Sequence, residues 1–316
     1  MIRNIFKPSG VAIIALLLTA PAFAEIQVHP NLAVDGYVAA SYQYSSKDYY
    51  ETDKYDLDRA RLNFNMNFSP VTGHFGFVAE SDGDVTLLDA YATYDAGNGL
   101  SFTAGKFLTY FGYEAYDIPA MNYITYGNYL NGTFISGYHS GIKMDYATDA
   151  FSAGIAVLDS VFGNDGELDG TKGFEAQLTY TGVKGLTLFA GFGYETAQKS
   201  SGLNDMFIAN LWVGYDVTEQ LNLGAEFSYC DEKDINKGCA WMVTAKYAIT
   251  PKFSLAGRIG GDVNDEDGVS DTLRATICPS YKLSDNFLIR AELSQTDIED
   301  LDAADLFIGA QMVFTF

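Results

Sequence analysis

The sequence predicts an all-β protein, a transmembrane antiparallel β-barrel of about 16 strands. Apolar and polar residues alternate along most of the chain, short connections alternate with long acidic ones, and the last strand ends on an aromatic residue. The 22 Tyr, 22 Phe and 31 Gly against 7 Pro also suit strands and tight turns better than helices.

The N-terminus resembles a secretory signal peptide. The stretch "MIRNIFKPSGVAIIALLLTAPAFA" has Arg3 and Lys7, then an apolar run, then the small-residue ending Ala22-Phe23-Ala24. The apolar run is too short to span a bilayer as a helix. We therefore expect residues 1–24 to be removed and residues 25–316 to form the barrel.

Period-two alternation defines the strands. In "RARLNFNMNF", Leu62, Phe64 and Met66 share one face, whereas Asn63 and Asn65 lie on the other. Similar runs occur at residues 32–44, 57–69, 74–80, 85–95, 100–108, 138–147, 151–159, 173–181, 186–195, 205–217, 221–229, 239–249, 253–263, 271–282, 287–294 and 305–316.

The connections alternate strictly between two kinds. Short ones such as "PVTG", "AGNG" and "LSDN" alternate with a second set that is mostly long and acidic, including "VFGNDGELDGTK" and "NDEDGVSD". Such rims are typical of outer-membrane barrels, with short periplasmic turns and long outer loops. An even strand count would place both termini at the periplasmic side.

A secreted β-sandwich is the soluble alternative. So many strands would require a very large sandwich, and the polar faces are rich in Gly, Asn, Ser and Thr, as the wall of a water-filled lumen would be. Both observations favour the barrel.

The final strand, "DLFIGAQMVFTF", places alternate apolar residues on one face and ends at Phe316. A terminal Phe after an alternating strand resembles the hallmark of bacterial outer-membrane β-barrels. The resemblance implies location in the cell outer membrane, contact with lipid and lipopolysaccharide, and Phe316 as a signal to the barrel assembly machinery.

The longest connection follows the fifth predicted strand and is rich in aromatic residues: "GKFLTYFGYEAYDIPAMNYITYGNYLNGTF". Here the chain resembles sixteen-stranded general-diffusion porins, including the OmpL-like kind, in which this loop folds inward and narrows the pore. The resemblance implies that 109–137 is a constriction loop with Phe111, Gly112, Tyr113, Glu114 and Asp117. Tyr113 departs from the pattern, because glycine is usual there. An outer lid is the alternative.

Charged residues on the polar faces should line the lumen. The predicted basic arc is Arg59, Arg61, Arg258, Arg274 and Arg290. The predicted acidic lining is Glu80, Asp89, Glu175, Glu226 and Glu292. Alternatively, each arginine pairs with a neighbouring carboxylate and only adds rigidity.

Three cysteines remain. Cys230 and Cys239 flank "DEKDINKG" at the facing ends of two predicted strands, so we predict a disulfide between them in an oxidising compartment. Cys278 is predicted to be a small lumen-facing residue.

These features predict a porin, a passive channel for small hydrophilic solutes and ions, as a monomer or homotrimer. The alternative is a closed structural or adhesion barrel with acidic outer loops. His139 and Ser140 are strand neighbours on opposite faces and cannot act as a base and nucleophile, so we predict no enzyme activity. The acidic loops match calcium loops only loosely, and we expect no metal, cofactor or nucleic-acid partner.

Overall fold

The computed structural model describes residues 25–46, 52–81, 83–127, 134–162, 172–196, 205–232, 236–265, 270–299 and 304–316. The predicted signal peptide and the central parts of most long connections lie outside these ranges. No helix among the described residues is long and apolar enough to cross a membrane.

The described residues form strands β1 (Ile26–His29), β2 (Leu32–Ser45), β3 (Thr52–Phe68), β4 (Val71–Ala79), β5 (Val85–Gly97), β6 (Leu100–Leu108), β7 (Tyr138–Ala147), β8 (Phe151–Leu158), β9 (Lys172–Val183), β10 (Leu186–Thr196), β11 (Met206–Asp216), β12 (Leu221–Glu232), β13 (Asn236–Ala248), β14 (Phe253–Asn264), β15 (Thr272–Ser284), β16 (Phe287–Ile298) and β17 (Asp305–Thr315). One 3-10 helix, Ile118–Ala120, lies between β6 and β7.

Strands β2 to β17 form a closed barrel. Each strand pairs antiparallel with the next, and β17 returns to pair with β2, with Ala310 opposite Tyr42. This arrangement confirms the predicted all-β fold and its sixteen barrel strands. The short strand β1 pairs with β2 and was not predicted.

The two rims of the barrel differ. Tight turns lie at one rim, which we call the short-turn rim. For example, Gly97, Asn98 and Gly99 all have positive φ between β5 and β6. Phe316 lies at this rim, where its backbone exchanges hydrogen bonds of 2.9 and 3.0 Å with Gly36. The opposite, long-loop rim carries the longer connections.

The outer and inner faces follow the predicted alternation. On β17, Leu306, Ile308 and Met312 are exposed, whereas Gln311 and Val313 are buried on the inner side. The same pattern runs around the barrel, so an apolar outer surface encloses a polar inner wall. A lipid bilayer suits that outer surface.

A β-bulge modifies the alternation on β3. Ala39 lies opposite Arg59 and Ala40 lies opposite Leu57, which leaves Asp58 without a counterpart on β2. Asp58 nevertheless accepts a 2.6 Å hydrogen bond from the inward-facing Ser41. The bulge therefore directs both Asp58 and Arg59 to the inner face.

The predicted disulfide between Cys230 and Cys239 is wrong. Among the described residues, none of the three cysteines forms a disulfide bond. Cys230 lies opposite Gly238, and Cys239 lies opposite Tyr229, so the two cysteines are one residue out of register. Side chains of successive residues leave a strand on opposite faces, and the two thiols consequently point to opposite sides of the wall.

Candidate functional site

The connection between β6 and β7 lies inside the barrel. Its described residues, 109–127 and 134–137, are here called the inner loop; 128–133 lie outside the described residues. Phe111, Tyr113, Tyr123 and Phe134 are each at most 6% exposed. Their burial results from packing and hydrogen bonds with inward-facing residues of the wall.

Glu175 and Glu226 bind the first part of the inner loop. The carboxylate of Glu175 accepts hydrogen bonds from the Thr109 hydroxyl at 2.8 Å and the Tyr110 amide at 3.2 Å. Glu226 accepts a 2.9 Å bond from the Tyr113 amide. Carboxylates form strong bonds with such donors, and these contacts compensate the cost of burying them.

Glu292 binds the second part of the inner loop. Its carboxylate accepts bonds from the amides of Ile124 at 2.5 Å and Thr125 at 3.2 Å, and from the Thr125 hydroxyl at 2.5 Å. Ser294 donates a further 2.8 Å bond from the wall. Glu292 is therefore an anchor for backbone amides and is 2% exposed.

Arg258 on β14 contacts the inner loop through charge, hydrogen bonding and an aromatic face. Its guanidinium lies 2.5 Å from the Glu114 carboxylate and donates a 3.0 Å bond to the Thr125 carbonyl. It also lies 4.2 Å from the centre of the Tyr123 ring, a cation–π contact. Three separate points of the loop thus converge on one wall arginine.

Arg61 on β3 joins the inner loop to another part of the wall. Its guanidinium pairs with Asp117 at 2.5 Å and binds both carboxylate oxygens of Asp89 at 2.8 and 3.0 Å. It also donates to Asn63 at 2.7 Å and to the Tyr138 hydroxyl at 3.2 Å. One buried side chain therefore connects three strands and the loop.

Arg290 on β16 binds carbonyl groups of the inner loop. It donates to the Met121 carbonyl at 2.6 Å and to the Ile118 carbonyl at 3.1 Å. The Gln311 side chain of β17 accepts a third bond at 2.6 Å. The side chain is 4% exposed, so its main contacts are with protein groups.

Arg59 and Arg274 differ from the other three arginines. Arg59 lies 2.8 Å from Glu80, whose side chain is half exposed near the long-loop rim, and stacks 5.1 Å from the Tyr116 ring. Arg274 donates to Thr296 at 2.7 Å and has no carboxylate within 4.0 Å among the described residues. The five arginines therefore occupy different settings.

Glycines of the inner wall provide space for the loop's aromatic rings. An added Cβ at Gly191 would lie 2.7 Å from the Phe111 ring, and one at Gly193 would lie 3.1 Å from it. A Cβ at Gly224 would overlap the Tyr113 ring. Sequence reasoning missed this role, although both glycines in "AGFGYE" occupy polar-face positions.

Buried tyrosines of the inner loop remain neutral hydroxyl groups. Burial, together with the nearby Glu114 charge, raises the pKa of Tyr113 to about 12. Burial also raises the pKa of Tyr123, whose hydroxyl lies 2.7 Å from that of Thr244. Tyr113 donates a 3.1 Å bond to Asn222. The loop thus remains fixed to β12 and β13 through uncharged groups at neutral pH.

We expect Gly224→Val to release the inner loop, because the new side chain would occupy the space of the Tyr113 ring. Limited chymotrypsin digestion of the folded protein in detergent should then cut at the tyrosines of 110–126, which are protected in the original protein. Gly257→Val is the matched control, since a Cβ there would meet no atom closer than 3.9 Å. Equal protection of both variants would contradict the assigned position of the Tyr113 ring against Gly224.

A closed barrel with an apolar exterior, a polar inner wall and a loop folded into its lumen is the architecture of outer-membrane porins. The chain belongs to the family described as "Putative beta-barrel porin-2, OmpL-like", whose profile matches residues 54–316. The protein is accordingly a multi-pass β-barrel of the outer membrane. Among curated protein sequences, none matches this chain significantly.

Solved structures of outer-membrane proteins share the fold. An anion-selective porin from Comamonas acidovorans superposes with a TM-score of 0.71 at 14% identity, covering 90% of this chain and 99% of that one. The outer-membrane channel DcaP of Acinetobacter baumannii gives 0.68 at 15% identity, covering 90% and 97%. OmpT of Vibrio cholerae, in a trimer form, gives 0.67 at 16% identity, covering 90% and 99%.

Proposed function

We propose that the protein is a porin that allows passive diffusion of small hydrophilic solutes and ions through a water-filled barrel. The observation that carries the proposal is the inner loop, held within the lumen by Arg61, Arg258, Glu226 and Glu292. A loop fixed at mid-barrel limits the size of a passing solute, while charged wall groups bias which ions pass.

We also propose an orientation of the barrel in the outer membrane and the partners that follow from it. The short-turn rim faces the periplasm and the long-loop rim faces outward, in contact with lipopolysaccharide. Residues 1–24 direct secretion and are removed, and Phe316 serves as the signal for the barrel assembly machinery. A homotrimer is the proposed assembly, supported by the trimer form of the Vibrio cholerae OmpT structure.

A closed structural or adhesion barrel is the second candidate, and one observation favours it. Phe111, Tyr113, Phe134 and Ile135 of the inner loop form a continuous buried apolar cluster with wall residues that include Trp212. Such a cluster excludes water from one side of the lumen. If it extends across the section, the barrel would not conduct.

Single-channel recording separates the two candidates. The refolded protein, inserted in a planar bilayer in 1 M KCl, should produce discrete current steps. Heat-modifiable migration in SDS would establish that the same preparation is folded. A folded protein that inserts without producing current steps would refute the porin proposal and support the closed barrel.

A further inference from the structure

Three basic side chains lie on the inner wall between the inner loop and the short-turn rim. Lys246 of β13 lies opposite Ala256 of β14, which lies opposite Cys278 of β15. Lys282 follows Cys278 by four residues and shares its inner face. Arg290 of β16 lies opposite Ser280, between these two levels. All three therefore occupy one patch of four adjacent strands.

The patch has an excess of positive charge. Neither lysine has a carboxylate within 4.0 Å among the described residues, and Arg290 donates to an amide and two carbonyls. Lys246 experiences the charges of both Lys282 and Arg290, and Arg290 also experiences those of Glu292 and Asp58, which leaves one net positive charge. Asp216, on the same row as Lys246 but two strands away, accepts a 2.9 Å bond from Asn222.

Small residues lie between the three basic side chains on the inner wall. The hydroxyls of Ser254 and Ser280 lie 2.8 Å apart, beside Ala256 and Cys278 on the same two strands. The Tyr123 ring of the inner loop packs against Ala256 and Cys278. Ala256 and Cys278 are therefore covered by the inner loop, whereas Lys246 is partly exposed and Lys282 is exposed.

We propose that Lys246 and Lys282, with the buried charge of Arg290 beside them, form a binding site for a small oxyanion, a phosphate or carboxylate group, in this part of the lumen. Ammonium groups and serine hydroxyls are the donors that such anions require. The site would make small oxyanions a substrate class of the proposed channel. Its role in transport rests on the proposed porin function, whereas anion binding itself does not.

Calorimetric titration of the folded protein in detergent, at low ionic strength, tests the site. Inorganic phosphate is one probe and succinate is the other. The double variant Lys246→Gln, Lys282→Gln should weaken binding of the preferred probe about tenfold or more, because two charge-assisted contacts are lost. Lys252→Gln, which removes a lysine from the turn between β13 and β14, is the matched control and should bind like the original protein.

The two probes distinguish the class of anion, and the two variants test whether the lysines bind it. Stronger binding of phosphate than of succinate assigns the phosphate class, and the reverse assigns the carboxylate class. Equal binding by the double variant and the control would overturn the site. Current recordings then address transport: block by the bound probe in the original protein, absent in the double variant, places the site on the conducting path. A folded protein without current but with lysine-dependent binding would refute the channel and keep the site.

Discussion

Replacing residues 116–126 with a short glycine–serine linker should raise the single-channel current several-fold. The replacement removes Tyr116, Tyr123 and Tyr126 from the lumen, together with the Asp117 contact to Arg61. The barrel should still close, because its strands pair with one another independently of the loop. The current of a water-filled pore rises with the area of its narrowest section.

The linker variant needs a control that separates ring volume from hydrogen bonding. Tyr126→Phe keeps the ring and removes the hydroxyl, with its 2.6 Å bond to the Tyr116 carbonyl. Its current should remain close to that of the original protein. Both proteins should retain heat-modifiable migration in SDS. An unchanged current in the folded linker variant would mean that the narrowest section lies outside the inner loop.

Most of the barrel was predictable because it depends on local periodicity. A strand with one lipid face and one lumen face must alternate, and the predicted strand limits lie within about five residues of the observed ones. The exceptions have local physical causes. The bulge at Asp58 changes the faces on β3, and a shift of one residue between β12 and β13 separates Cys230 from Cys239.

The contacts of the inner loop could not be predicted in the same way. Glu292 and Ile124 are 168 residues apart, and no periodic pattern relates them. The alternation assigned Glu292 and Arg290 to the lumen, but it gave no sign that the first would bind backbone amides and the second backbone carbonyls. Those partners depend on the path of an irregular loop, and only the three-dimensional structure supplies that path.

The five predicted lumen arginines illustrate why the sequence position of a charge does not show whether that charge is available to a passing ion. Arg61, Arg258 and Arg290 are committed to the inner loop, so reversing their charge would also disturb the loop. Lys246 and Lys282, which sequence reasoning did not select, have no carboxylate partner within 4.0 Å in the described part of the chain. Burial and pairing decide which charges are available to a passing ion.

Arg61→Met should destabilise the folded protein by about 3–5 kcal/mol, the range expected when one partner of a buried ion pair is removed. The Arg61 and Asp89 side chains are only 4% and 7% exposed, so the substitution would leave a buried carboxylate without its main counter-charge. Asp117 is 33% exposed and can bind water instead. The loss should therefore arise mainly at Asp89.

Arg59 provides the matched comparison, since it lies two residues away on the same strand and also pairs with a carboxylate. The Arg59 side chain is 14% exposed, but Glu80 is 49% exposed and can bind water once its partner is removed, so Arg59→Met should cost less than Arg61→Met. Urea unfolding in detergent micelles, followed by the fluorescence of Trp212 and Trp241, measures both variants. Adding Asp89→Asn to Arg61→Met should recover much of the loss. If the two arginine variants lose equal stability, burial does not set the strength of these ion pairs. Arg61 would then not be the main link between the inner loop and the barrel wall.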